Sequence, residues 1–115
     1  MFDVLKPRGK LYYWKRSVKF FFQRITRGFS DRDTWNMDTR FSEYILPRLR
    51  RFKELNCGYP PDLTPEQWDK HLDAMIYAFE WYAQDCSERI ETDEVLEDVQ
   101  KGIDLFAKFY GSLWW

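Results

Sequence analysis

Histidine is almost missing from this chain, with His71 the only one in 115 residues. That excludes a zinc site built on several imidazoles. The Glu-x-x-His pair of di-iron bundles is absent as well, because Trp68 stands three residues before His71. His71 falls at the margin of a helical apolar stripe and reads as a partly buried structural side chain. The five glycines are scattered at positions 9, 28, 58, 102 and 111. No Gly-x-x-x-x-Gly-Lys run occurs, so nucleotide hydrolysis on a phosphate loop is out. No Gly-x-Ser-x-Gly turn is present, and neither cysteine has an activating context. Cys57 and Cys86 flank an expected helix on the order of 30 Å long, which argues against a disulfide within the chain. No apolar run approaches a membrane span. The start, Met1 to Lys6 followed by Pro7, is too polar for a secretory signal. The expectation is a cytoplasmic protein with no membrane, metal or cofactor. No repeat, low-complexity tract or alternation of period two is visible.

Aromatic residues and segregated charge are what the chain has in excess. Phe, Trp and Tyr make up 20% of it, far above usual usage. A net charge of -1 conceals two opposed halves: residues 1–53 carry 14 Lys/Arg against 5 Asp/Glu, and residues 54–115 carry 4 against 14. Mutual neutralisation across packed helices or subunits is one reading of this asymmetry, and an anion site in the first half is the other.

The hydrophobic spacing predicts an all-α fold, a single domain over 1–115 built as a bundle of about four helices at about 10–27, 38–55, 65–86 and 93–113. In the first, Leu11, Trp14, Val18, Phe21, Phe22 and Ile25 form a narrow apolar stripe that Gly28 should end. Tyr12, Tyr13 and Phe20 lie on its other side among Arg16, Lys19 and Arg27. Ser30, Asp31 and Asp33 can cap a short turn. The second helix should turn Phe41, Ile45, Phe52 and Leu55 inward, with a kink or a split at Pro47. A loop follows over residues 56–62. The start of the third helix is the strongest local pattern: Thr64 as cap, Pro65 at the first helical position, Gln67 completing a capping box, and Leu63 with Trp68 as a hydrophobic staple. Trp68, Leu72, Met75, Ile76, Phe79 and Tyr82 make its inward stripe, while Tyr77 and Trp81 point away. The fourth shows a broad apolar arc around Val95, Val99, Ile103, Phe106, Tyr110 and Leu113, suited to a central helix or an oligomer seam. The carboxylates of Asp31, Asp33, Asp93 and Glu94 sit where helix N-termini favour negative charge.

The segment Pro47-Arg48-Leu49-Arg50-Arg51-Phe52-Lys53 is the main functional candidate. A continuous helix would place Arg48 within about 40° of the Phe41/Ile45/Phe52 stripe. A guanidinium there needs either a carboxylate such as Asp98 or an anionic ligand. The expected ligand-binding set is Arg48, Arg50, Arg51 and Lys53 with Trp35. The aromatics interleaved with cations from Tyr12 to Arg27 suit either a subunit contact or nucleotide stacking. Tyr12, Tyr13, Phe20, Trp81, Trp114 and Trp115 are the expected interface residues.

Trp35-Asn36-Met37-Asp38, then residues 44–54 from Tyr44 to Glu54, then Gly58-Tyr59-Pro60 and Thr64-Pro65-Glu66-Gln67-Trp68-Asp69 resemble a family of small tailed-bacteriophage proteins. The similarity spans roughly residues 22 to 113. The resemblance brings no catalytic residues, and it implies a viral accessory protein in the bacterial host cytoplasm, where counter-defence is a common role. The combined expectation is a homo-oligomer that acts by binding, without turnover, and sequesters an anion such as a nucleotide immune signal. The alternative is a protein-interaction module that inhibits a host enzyme or assists phage assembly. Double-stranded nucleic acid is not an expected partner.

Overall fold

A computed structural model of the chain describes residues 9–56 and 58–114. It is all-α, with helices α1 Lys10–Arg27, α2 Met37–Leu55, α3 Pro65–Ala83 and α4 Asp93–Lys108, and no strand among the described residues. Single 3-10 turns follow α1, α3 and α4, at Asp31–Thr34, Cys86–Glu88 and Tyr110–Ser112. No helix among the described residues is long and apolar enough to cross a membrane. Two compact units emerge, Met1–Met37 and Asp38–Trp115.

In the first unit, α1 ends as its sequence dictates. Gly28 adopts φ 82°, a left-handed conformation that costs glycine nothing, and its N–H reaches the Arg24 carbonyl. The chain then folds its 3-10 turn back along α1. The Gln23 amide donates to the Asp31 carboxylate at 2.8 Å and accepts from the Asp31 N–H at 2.7 Å. Asp33 caps the turn from within, accepting from the Ser30 N–H at 2.9 Å and the Ser30 hydroxyl at 3.1 Å. The apolar stripe of α1 is solvent-exposed. The helix has no buried residue, and Leu11, Trp14, Phe21, Phe22 and Ile25 are all exposed.

In the second unit, Leu46 and Leu49 of α2 and Trp68, Leu72, Met75 and Phe79 of α3 form the core, and Ile103, Leu105 and Phe106 of α4 pack against it. Burying each such side chain contributes roughly 1.5–3 kcal/mol. The α3 start forms as its sequence specifies: Gln67 N–H donates to the Thr64 hydroxyl at 3.2 Å, and Thr64 N–H donates to the Gln67 side chain at 3.0 Å. The inward face of α2 keeps Ile45 and Phe52, which pack against the core half-buried, but its centre is corrected. Ser42, Leu46 and Leu49 are buried, whereas Phe41 is 45% exposed and meets Phe79 and Phe106 in T-shaped ring contacts. Pro47 is exposed and α2 runs unbroken through it, so the split does not occur. The carbonyl that Pro47 deprives of a donor belongs to Glu43, an exposed residue that water can serve.

Two helix ends also fall short of expectation. Past Ala83, Gln84 is extended, and the Asp85 carboxylate accepts from the Ser87 N–H to start a separate turn. Beyond Lys108, Phe109 leaves helical geometry and residues 110–112 tighten into 3-10 form. Cys86 is a free, exposed thiol, while Cys57 lies outside the described residues.

Candidate functional site

The α2 cations do not form the expected cluster. Arg50 pairs with Glu80 of α3 at 3.0 Å, Lys53 with Asp73 of α3 at 2.5 Å, and Arg51 with Glu54 one turn along its own helix at 2.8 Å. The Asp73 carboxylate raises the Lys53 pKa, since it hydrogen-bonds the charged form. Arg48 is exposed and folds onto its own helix: its guanidinium lies 3.7 Å from the Tyr44 ring centroid and donates to the Tyr44 carbonyl at 2.7 Å. The expected approach of Arg48 to the apolar stripe and to Asp98 is therefore corrected. The buried face of α2 centres on Leu46 and Leu49, which turns Arg48 about 125° away from it.

The first unit gathers cations and aromatics more closely. Tyr13, Arg16, Ser17 and Phe20 from α1 line a hollow of about 500 Å³ together with Arg32 and Trp35 from the following turn. Tyr12, Lys15, Lys19 and Asp31 line a neighbouring hollow that shares Arg16 and Phe20 with the first. Winding at about 100° per residue explains why the α1 members meet, since Tyr13, Arg16 and Phe20 fall within about 60° of each other. The turn brings up the rest, held by Gln23, Arg24 and Arg27 through Asp31 and Asp33.

The electrostatics of this hollow follow from which cations are already satisfied. Arg24 and Arg27 are committed to Asp33 and Asp31, and Lys19 stands 3.8 Å from Asp31. Asp33 is lowered to about 2, first by the Ser30 backbone N–H and then by Arg24. Asp31 is lowered as well, by Gln23 and then Arg27. Among the described residues, no carboxylate comes within ion-pair distance of Arg16 or Arg32. The Arg16 guanidinium instead lies 5.4 Å from the Phe20 ring centroid. The first unit as a whole is cationic: residues 1–37 carry 9 Lys/Arg against 3 Asp/Glu, and residues 38–115 carry 9 against 16.

No known protein family, curated protein or solved structure matches the chain.

The remaining expected site residues are dispersed. Trp35, 85% exposed, lines the first-unit hollow. Trp81 is half-buried, donates its indole N–H to the Ile90 carbonyl at 2.9 Å and lies under the Arg89 guanidinium at 4.8 Å. Trp114 is exposed and lines an apolar cavity of about 370 Å³ with Tyr59, Pro60, Pro61 and Trp68, a cavity without a cation among the described residues. Trp115 lies outside the described residues. His71 stacks on Phe109 at 5.4 Å, the partly buried ring its position suggested. Sequence reasoning missed Arg32 altogether. It flanks two caps and reads as part of a turn, and only the fold-back at Gly28 brings it beside Arg16.

Proposed function

We propose that this chain is a non-enzymatic binding protein that sequesters a nucleotide-class anion in the hollow between α1 and the Asp31–Thr34 turn. The observation that carries the reading is the pair Arg16 and Arg32, two guanidinium groups without carboxylate partners beside Tyr13, Phe20 and Trp35. A planar five-donor fork suits a phosphate, and an aromatic face suits a base of any identity. A hollow of about 500 Å³ is within the range that small-molecule ligands occupy. Among the described residues its lining includes neither an imidazole nor a carboxylate to move a proton, which favours binding over turnover.

The cellular setting rests on the resemblance to tailed-bacteriophage proteins. In that setting the chain is a counter-defence factor in the bacterial cytoplasm, and a homo-oligomer would multiply the sites available to remove a nucleotide immune signal. Isothermal titration of the full chain against cyclic and linear nucleotides tests the reading. Heat with at least one member, weakening as salt is raised, is the expected result. Absence of heat for every member at micromolar protein would sink it.

A further inference from the structure

α1 has a second face, opposite the hollow, that no described residue of its own unit covers. Leu11, Trp14, Val18, Phe21 and Ile25 recur at alternating steps of three and four, with Phe22 beside them. Five of these six are exposed, between 59% and 64%. The stripe is centred about 180° from the Arg16/Phe20 side, so the two surfaces are separate. Lys10 and Lys15 stand about 70° to either side of its centre, one on each edge. The helix carries six Lys/Arg over its 18 residues and no Asp or Glu.

We propose that this face of α1 docks on an anionic lipid surface. A helix rich in Lys and Arg on its polar side, with Trp, Phe and Leu on the other, has the composition of helices that lie in the plane of the headgroups. Edge lysines lower their stems along the apolar boundary and keep their ammonium groups at phosphate level. Charge decides between an acidic bilayer and a second copy of α1. A second copy of α1 laid on the stripe would set Lys10 and Lys15 against further cations, with no acid on either helix to relieve them. An acidic bilayer offers negative charge along both edges and needs no side-chain complementarity. The stripe lies in the interface and does not cross it, in keeping with the absence of a membrane-crossing helix among the described residues. This proposal does not depend on the reading of the hollow.

Flotation of the full chain with vesicles of phosphatidylcholine containing phosphatidylglycerol, and with vesicles of phosphatidylcholine alone, provides the test. The chain should float with the first and stay behind with the second. Replacing Lys10→Glu with Lys15→Glu should lower the vesicle partition coefficient by at least about thirtyfold, the effect expected for loss of two juxtamembrane cations, and Phe21→Asp with Phe22→Asp should abolish flotation. Brominated acyl chains give a readout that does not rely on those variants folding. They should quench the wild-type tryptophan emission, and Trp14→Phe should remove that quenching. Equal recovery from both vesicle types, or none from either, overturns the proposal. So does a dimer in sedimentation velocity that Phe21→Asp with Phe22→Asp dissolves, which would make a second copy the occupant.

Discussion

Gly102 of α4 crosses Ala74 and Ala78 of α3 so closely that a Cβ added at 102 would lie 2.6 Å from the Ala78 Cβ and closer still to the Ala74 carbonyl oxygen. The α3–α4 contact is the tightest between helices of the second unit, and it depends on the missing side chain. Glycine to alanine inside a helix ordinarily gains about 1 kcal/mol. Here the sign should reverse, with Gly102→Ala losing about 1–3 kcal/mol through overpacking against backbone. Urea denaturation of the two forms measures this. Gly111→Ala, where nothing lies within 4 Å, is the comparison and should stay near neutral.

Acid should release the turn of the first unit from α1. Asp33 is depressed to about 2 and Asp31 is depressed in the same direction, so both bind protons less readily folded than unfolded. Their contribution is present above the ordinary carboxylate range and is lost as pH falls from about 4 through about 2. Amide exchange at Ser30 and Asp31, followed by NMR across that window, should show protection lost with a midpoint well below 4. Asp33→Asn should loosen the turn at neutral pH, and a midpoint at 4 in the wild type would contradict the assignment.

Arg89 fastens the two ends of the second unit's first helices. One of its terminal nitrogens donates to the Tyr82 carbonyl at 2.7 Å and to the Thr39 hydroxyl at 3.2 Å, and the guanidinium lies over Trp81 and Tyr82. Arg89→Ala should cost about 2 kcal/mol in thermal or urea unfolding, from lost charged hydrogen bonds and ring contact. Arg89→Lys should recover only part of it, because an ammonium cannot reproduce the planar stacking. Full recovery by lysine would argue for charge alone.

Local features were the legible ones. Thr64, Pro65 and Gln67 set the α3 start, and Gly28 ends α1, because each device acts within a single turn of chain. The phase of α2 was not legible. The large Phe41 pulled the apparent stripe toward itself, while the helix buries Ser42, whose hydroxyl is satisfied by the Asp38 carbonyl at 2.6 Å. The core face is turned from Phe41 toward Ser42 and Leu46, with Ile45 and Phe52 left at its edge, and Arg48 falls on the surface. The cation cluster dissolved for a related reason: Glu80 and Asp73 lie 30 and 20 residues from their partners, and local spacing says nothing about pairs at that range. The aromatic face of α1 could be read as a helix face, yet its partners Arg32 and Trp35 arrive only through the fold-back after Gly28.

The central claim is that the free guanidinium groups of the first unit, and not the ion-paired cations of α2, hold the anion. Nucleotide titration of two double variants, Arg16→Ala with Arg32→Ala and Arg50→Ala with Arg51→Ala, measures it directly. Each lost charged hydrogen bond is worth about 1.5–3 kcal/mol, so the first variant should bind at least about tenfold more weakly and the second within about twofold of wild type. Loss of binding in the α2 variant, with the α1 and turn variant unchanged, would contradict the account.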